Sequence, residues 1–338
     1  MKKRIILLIL AAALLFTGCA SLQPQTQYTA TFLELFDTVT TILGFSHSRE
    51  DFEQQAQQLR DQLYRYHQLF DIYNDYEGIH NIKTINDLAG ISPVEVDPAI
   101  IQLLLDCKQY YEVTGGKVNV AMGGVLKLWH EARADGIRDP RQATLPDPEA
   151  LAQAAAHSTF DSVLIDEAAS TVFITDPAVS LDVGAIAKGW ATQRVAESAP
   201  RGMLISVGGN VCATGPKKGD NPWVIGIQNP DGGDYLHTLY ISGGAVVTSG
   251  DYQRTYVVDG KAYHHIIDPE TRMPGTLWRS VTVVCQDSAL ADALSTALFL
   301  LPLAEGQALA EKWDAQVLWL DPEGREFMTP GFESILRT

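Results

Sequence analysis

The sequence predicts an α+β protein built on antiparallel and mixed sheets with flanking helices, and three observations predict it. Short β-branched and apolar runs follow one another in hairpin order between about 203 and 285. Helical patterns stand apart in blocks of their own. Asp259-Gly260, between Tyr252–Val258 and Ala262–Ile267, is a two-residue turn of the kind that joins antiparallel strands. With 338 residues, 46% hydrophobic and 20% charged, the chain can bury a large core and has the composition of an ordinary globular protein.

Taken in order, Thr31–Gly44 (TFLELFDTVTTILG) is β-branched and aromatic and reads as an opening strand kinked at Asp37. Phe52, Ala56, Leu59, Leu63 and Tyr66 recur by fours and threes, which makes 51–70 an amphipathic helix. Residues 71–90 read as a polar, aromatic-sprinkled loop, a length that in compact domains tends to be functional. Asp97-Pro98 is an N-cap with proline at the first helical position, and that helix stops at Gly115-Gly116. The paired glycines of KVNVAMGGVLKLWHEA allow close backbone approach, and 133–148 reads as a charged surface excursion. Asp147-Pro148 caps a further helix, and strands are expected at 162–165 and 171–175. Ser180–Trp190 (SLDVGAIAKGW) then passes from a strand end at Leu181–Val183, through Gly184, into a helix beginning at Ala185 and running to about Ala199. Strands follow at 203–207, 223–228, 236–241, 245–248 and 281–285, helices at 290–301 and 303–313, and a late strand at 316–320.

The N-terminus bears on the compartment. Lys2, Lys3 and Arg4 precede an apolar run, Ile5–Phe16, that is too short to span a bilayer and is arranged like a secretory signal. Leu15-Phe16-Thr17-Gly18-Cys19 resembles a bacterial lipobox, so residues 1–18 are expected to be removed and Cys19 to be lipidated. Residues 19–30 would form a polar tether and 31–338 the domain. Removal of 1–18, with its three basic residues, takes the net charge from −16 to −19. That acidity argues against nucleic acid and against a basic membrane-docking face. Cys107, Cys212 and Cys285 are too few and too scattered for a disulfide framework or a zinc site and are expected to be buried.

Several groups can carry chemistry. In SLDVGAIAKGW a carboxylate, the free amides of a helix start and Lys188 fall close together, a set suited to a phosphate ester and its metal ion. In ALADALSTALFLL, Asp292 and Thr296 lie one helical turn apart on an otherwise apolar helix; they hold a hard cation or a buried hydrogen-bond partner, or else Asp292 is an exposed helical residue and Thr296 filler. Gly208-Gly209-Asn210 and Thr248–Tyr252 are turns that bring backbone close to a ligand or simply reverse the chain. Of His264 and His265, strand alternation turns one inward and one outward, so one of them is a candidate acid or base. The sequence contains no serine-hydrolase elbow, phosphate-binding P-loop or dinucleotide glycine fingerprint.

These segments resemble a known family. SLDVGAIAKGW, VGGN, TSGDYQRTYVVDGKAYHHIIDPETRMP, SVTVV and ADALSTALFLL occur in the order and approximate spacing of the ApbE family, the FAD:protein FMN transferases. Weaker matches at LFDTVTTI, FDIYNDYEG and VNVAMGGVLKLW extend the likeness from about Thr31 to Leu320. The resemblance implies a single large T-fold-like domain that splits FAD, as substrate, at its diphosphate with Mg2+, releases AMP and joins FMN to a Thr or Ser hydroxyl of an acceptor flavoprotein. It further implies contacts to FAD from Phe36, Tyr73, Lys117, Val118, Asn119, Asp182, Lys188 and Ile267. By the same likeness, magnesium is held by Ala185, Asp292 and Thr296, and His265 is the base for the acceptor hydroxyl. Family members are typically exported and often lipidated, which agrees with a lipid anchor on the extracytoplasmic side of a bacterial membrane. The chain departs from the family pattern at Phe36-Asp37, where Met-Gly is frequent, at Val118-Asn119, and at Arg272-Met273. An FAD pyrophosphatase and a non-catalytic flavin-binding lipoprotein are the alternative readings.

Overall fold

The computed structural model describes residues 24–337, so the signal segment 1–18 and Cys19 lie outside the described residues. The chain opens with β1 (Thr26–Leu35) and β2 (Thr38–Ser46), followed by α1 (Arg49–Phe70), α2 (Ile82–Asp87), β3 (Val94–Glu95) and α3 (Pro98–Val113). Next come α4 (Gly123–Arg138), α5 (Pro148–Ala155), β4 (Val163–Asp166), β5 (Thr171–Ile174) and α6 (Ala187–Ser198). Strands dominate thereafter: β6 (Leu204–Val207), β7 (Asn210–Ala213), β8 (Trp223–Ile227), β9 (His237–Ile241), β10 (Gly244–Gly250), β11 (Tyr256–Val258), β12 (Lys261–Tyr263) and β13 (Ser280–Cys285). The chain closes with α7 (Ser288–Leu300), α8 (Leu303–Lys312), β14 (Gln316–Leu320) and β15 (Glu326–Met328).

Eight strands form one sheet in the order β1-β2-β6-β7-β10-β13-β14-β15, and every neighbouring pair is antiparallel. Smaller antiparallel groups are β3-β5-β4, β8-β9 and the β11-β12 hairpin. The expected α+β class with antiparallel sheets and flanking helices is the one observed. The main core lies between the first strands of the sheet and α1, α3 and α6, where Phe52, Leu63, Ile100, Leu104 and Trp190 are buried together. Trp190 takes Tyr66 and Phe70 edge-on, each with ring centroids 5.4 Å away, and donates from its indole nitrogen to Asp106 at 2.8 Å. This arrangement ties α6 to α1 and α3 and so fixes the helix that carries Lys188. A second core beneath α7 and α8, around Leu298, Phe299 and Trp319, holds α7 on the sheet.

Five sequence readings are corrected. The opening segment is two strands joined by a turn at Phe36-Asp37, because both residues are left-handed, at φ 52° each, and reverse the chain where a kink was expected. Its first strand takes in Thr26–Ala30, assigned above to the tether; Thr26 pairs with Ser46 and Ala30 with Ile42. Within the 71–90 loop, Asn81 and Thr84 form a reciprocal capping box that starts α2. α4 runs on to Arg138, through 133–138 of the supposed surface excursion, burying Trp129 and Gly136. Helix α6 begins at Ala187, not Ala185, and Leu181–Val183 form no strand, although Ser180 makes a bridge to Met122.

Candidate active site

All twelve residues singled out for ligand, metal or base roles within the described chain line one cavity of about 390 Å³, which opens where the sheet, α6 and α7 meet. They are Phe36, Tyr73, Lys117, Val118, Asn119, Asp182, Ala185, Lys188, His265, Ile267, Asp292 and Thr296. The size and the mix of apolar wall and convergent polar groups suit a small-molecule site.

One end is made by α6 against α7. Asp292 is 5% exposed, so the reading of it as a surface helical residue fails. Its Oδ2 accepts from the Gly189 amide at 2.8 Å, and Lys188 Nζ stands 3.8 Å from the same oxygen. Burial pushes the Asp292 carboxyl up, while Lys188 and the Gly189 amide work the other way. Asn210 also lowers it as a nearby dipole, although its Nδ2 reaches no acceptor in hydrogen-bonding geometry. The close approach depends on Gly189: a Cβ there would lie 2.4 Å from both Asp292 Cβ and the Ser288 carbonyl oxygen. Apart from Leu290, Thr296 is the one residue of α7 that is not buried, because its side chain faces the cavity. No group of three His, Cys, Asp or Glu gathers among the described residues. A cation here would therefore rely on Asp292, the Thr296 hydroxyl, the Ala185 carbonyl and oxygens of its ligand. That all-oxygen, low-charge donor set, completed by phosphate, fits magnesium.

Asp182 and Lys188 frame the entry to α6. Asp182 Oδ1 accepts from the Gly184 amide at 2.9 Å, which turns the chain, and Lys188 Nζ donates to the Gly184 carbonyl at 3.0 Å. The side chains of Lys117 and Asn119 are engaged elsewhere. Lys117 bridges Asp268 at 3.0 Å and Glu270 at 3.1 Å, and Asn119 bonds the Ser158 carbonyl and the Ala121 amide. Both thus offer the cavity main chain and wall, with Val118 buried between them.

The structure separates the two histidines. His264 is buried, edge-on to Phe299, with Nε2 on the Gly275 carbonyl at 2.8 Å and Nδ1 accepting from the Ile266 amide at 3.2 Å. His265 faces the cavity. Its Nδ1 lies 3.3 Å from the Gln253 carbonyl, an acceptor only, so Nδ1 carries the proton and Nε2 keeps the lone pair. Burial pushes its pKa down to about 3, with Arg254, Lys188 and His264 adding to the effect.

The opposite end is made of loops. Tyr73 is 61% exposed, and its hydroxyl meets His130 Nδ1 at 2.9 Å. Asp71, His67, His130 and Arg254 line the cavity without having been singled out in the sequence: Asp71, His130 and Arg254 lie inside quoted segments but carry no spacing that marks them, and His67 sits on a helix read only for its apolar face. The two turns noted as weak signals do reach it, through Gly208, Asn210, Thr248, Ser249 and Gly250.

The ApbE family model matches residues 26–319. The chain belongs to the ApbE family. An FAD:protein FMN transferase of Treponema pallidum is 34% identical over 277 residues, covering 76% of this chain and 75% of that protein. One of Klebsiella pneumoniae is 33% identical over 268 residues, covering 76% and 81%. Among solved structures, the ApbE protein of Thermotoga maritima superposes with a TM-score of 0.81 at 30% identity, covering 93% of this chain and all of that one. The flavin transferase ApbE of Vibrio cholerae, at 23% identity, shares the fold with a TM-score of 0.77. The ApbE fold spans these proteins as a single domain, as expected from the sequence. Among the described residues the cysteines Cys107, Cys212 and Cys285 are free and buried, as expected.

Proposed function

We propose that this protein is an FAD:protein FMN transferase, which uses Mg2+ to move FMN from FAD to a Thr or Ser hydroxyl of an acceptor flavoprotein. The observation that carries the reading is the convergence, in one cavity, of a buried carboxylate beside a lysine and a histidine whose Nδ1 is engaged by main chain, leaving Nε2 its lone pair. Family membership supports the same activity.

In this reading Lys188 and the first amides of α6 bind the diphosphate, while Asp182 orients that turn. Asp292, Thr296 and the Ala185 carbonyl would hold magnesium, which supplies charge neutralisation at the phosphate when bound. The acceptor oxygen attacks the FMN phosphorus, a new phosphoester bond forms, and the bond to the AMP oxygen breaks with its electron pair leaving on AMP. His265 Nε2 takes the hydroxyl proton. Burial, with Arg254 and Lys188 adding to it, depresses the basicity of His265 in the free protein, and an anionic ligand that neutralises those two charges removes their share of the effect. Phe36, Tyr73, Val118 and Ile267 enclose the ring systems.

Lipidation at Cys19, anchoring to a bacterial membrane and an extracytoplasmic location belong to the same proposal, and the charged, apolar and small-residue order of 1–19 supports them. Among the described residues no helix is long and apolar enough to cross a membrane. The test is incubation of the purified protein with FAD, Mg2+ and an acceptor flavoprotein. AMP release together with a covalent FMN mass on the acceptor is expected. AMP with free FMN alone would replace transfer by FAD hydrolysis, and FAD left whole would leave only a carrier.

A further inference from the structure

Phe36 and Asp37 are consecutive non-glycine residues at φ 52°, a conformation that persists only where the surroundings hold it. The hold comes from α1. The Phe36 amide donates to Nδ1 of His67 at 3.2 Å, and the Phe36 ring meets the imidazole edge-on with centroids 5.6 Å apart. On the other side of the imidazole, Nε2 lies 3.4 Å from the Tyr76 hydroxyl, whose own proton goes to Asp71 Oδ2 at 2.7 Å. Because the Tyr76 proton is committed to Asp71, its oxygen receives from His67, which places the proton on Nε2 and the lone pair on Nδ1. Asp71 is anchored in turn by the Tyr73 amide at 2.6 Å and by the Asn74 amide and side chain at 3.1 and 2.9 Å. Burial works against its charge, but the bonds from Asn74, the Tyr73 amide and Tyr76 outweigh it and hold the carboxyl below its usual range. Phe36, Asp37, His67 and Asp71 all line the cavity.

We propose that His67 is a positioning residue: as the Nε2–H tautomer it locks the left-handed Phe36-Asp37 turn and thereby presents the Phe36 ring as a preformed wall for a planar aromatic ring of the ligand. The proposal rests on FAD being that ligand. Without the Nδ1 acceptor the turn has less strained alternatives, so binding must include ordering it, and affinity falls while chemistry in the bound complex does not.

Two substitutions separate the acceptor from the bulk of the ring. His67→Asn keeps an acceptor near the Nδ1 position, whereas His67→Gln moves its polar atoms to the Nε2 position. FAD affinity is read from flavin fluorescence without acceptor protein, beside a thermal melt. His67→Gln is expected to weaken FAD binding about tenfold, the scale of one lost hydrogen bond, and His67→Asn by about twofold or less. Turnover at saturating FAD should stay within about twofold for both. In an Asp37→Gly background the effect of His67→Gln should shrink to about threefold or less, because glycine adopts this conformation unaided. Unchanged affinity in His67→Gln, or equal losses in both variants, overturns the proposal. If His67→Gln fails to fold, Tyr76→Phe serves instead: it frees the tautomer, a loss of about threefold is expected, and no change overturns the lock. Wild-type protein that binds FAD but transfers nothing would sink the transfer reading and leave the lock standing.

Discussion

The two ends of the cleft are built by opposite means. At the Lys188 end, two helices press together so closely that Gly189 has no room for a methyl group, and the Asp292 carboxylate is 5% exposed. At the Phe36 end, a strained turn and a loop line the cavity, Tyr73 is 61% exposed, and hydrogen bonds provide the order that packing provides opposite. Packing admits few residue types, whereas a hydrogen-bonded loop admits many. The sequence resemblance to the family carries no departure at the packed end and one at the Phe36-Asp37 turn.

The most severe way to break the contrast is Gly189→Ala. Its Cβ would sit 2.4 Å from main-chain and side-chain atoms of α7, so the helices must separate. A loss of about 3 kcal/mol in urea unfolding and of nearly all FAD turnover is expected. Gly124→Ala is the control: its Cβ would meet Ala154 at 3.6 Å, an ordinary contact, and should change stability by about 0.5 kcal/mol or less. Equal effects at the two glycines would show that the packed end yields as readily as any surface. Next in size, Asp292→Asn preserves shape and the acceptor for the Gly189 amide while removing the charge. Turnover should fall about 100-fold, or about 2.7 kcal/mol in the barrier, with the urea midpoint nearly unmoved. Full turnover in that variant would remove Asp292 from the metal site.

The same contrast explains what was legible in the sequence. Asp292 and Thr296 one turn apart, or a lysine in the first turn of a helix after glycine, are local patterns, and local spacing survives folding unchanged. The alternation of His264 and His265 showed that they diverge, but only the packing of His264 against Phe299 decides which one faces the ligand. His67 and Phe36, 31 positions apart, are joined by a bond that no spacing announces. The turn itself was misread for a related reason. Neither Phe nor Asp carries the glycine signal for positive φ, so the hairpin is set by pairing between β1 and β2 and by His67, all of them tertiary contacts.

His265 offers a test of intermediate size at the junction of the two ends. Its folded pKa, about 3, lies below the ordinary value of about 6.5, so between those values the unfolded chain binds more protons than the folded one. Stability therefore rises with pH through this window and is lost as pH falls from about 6.5 toward 3. His265→Gln should flatten the decline in melting temperature between pH 7 and 5 in ligand-free protein. A decline of the same slope in that variant would mean that His265 is already solvated and not enclosed by the cavity. With FAD bound, the wild-type slope should lessen, because the phosphates offset Arg254 and Lys188.

The smallest expected effect belongs to the loop-built end. Asp37 is exposed and left-handed, so Asp37→Gly removes local strain but adds freedom to the unfolded chain. These nearly cancel, leaving a net gain of about 0.5 kcal/mol in urea unfolding. FAD affinity should change by about twofold or less, since the Phe36 amide keeps its bond to His67. A clear loss of affinity would instead assign the Asp37 carboxylate a direct part in ligand binding. That outcome would make the Phe36 end as dependent on one residue as the Gly189 contact is, and the difference between the two ends would lie only in their architecture.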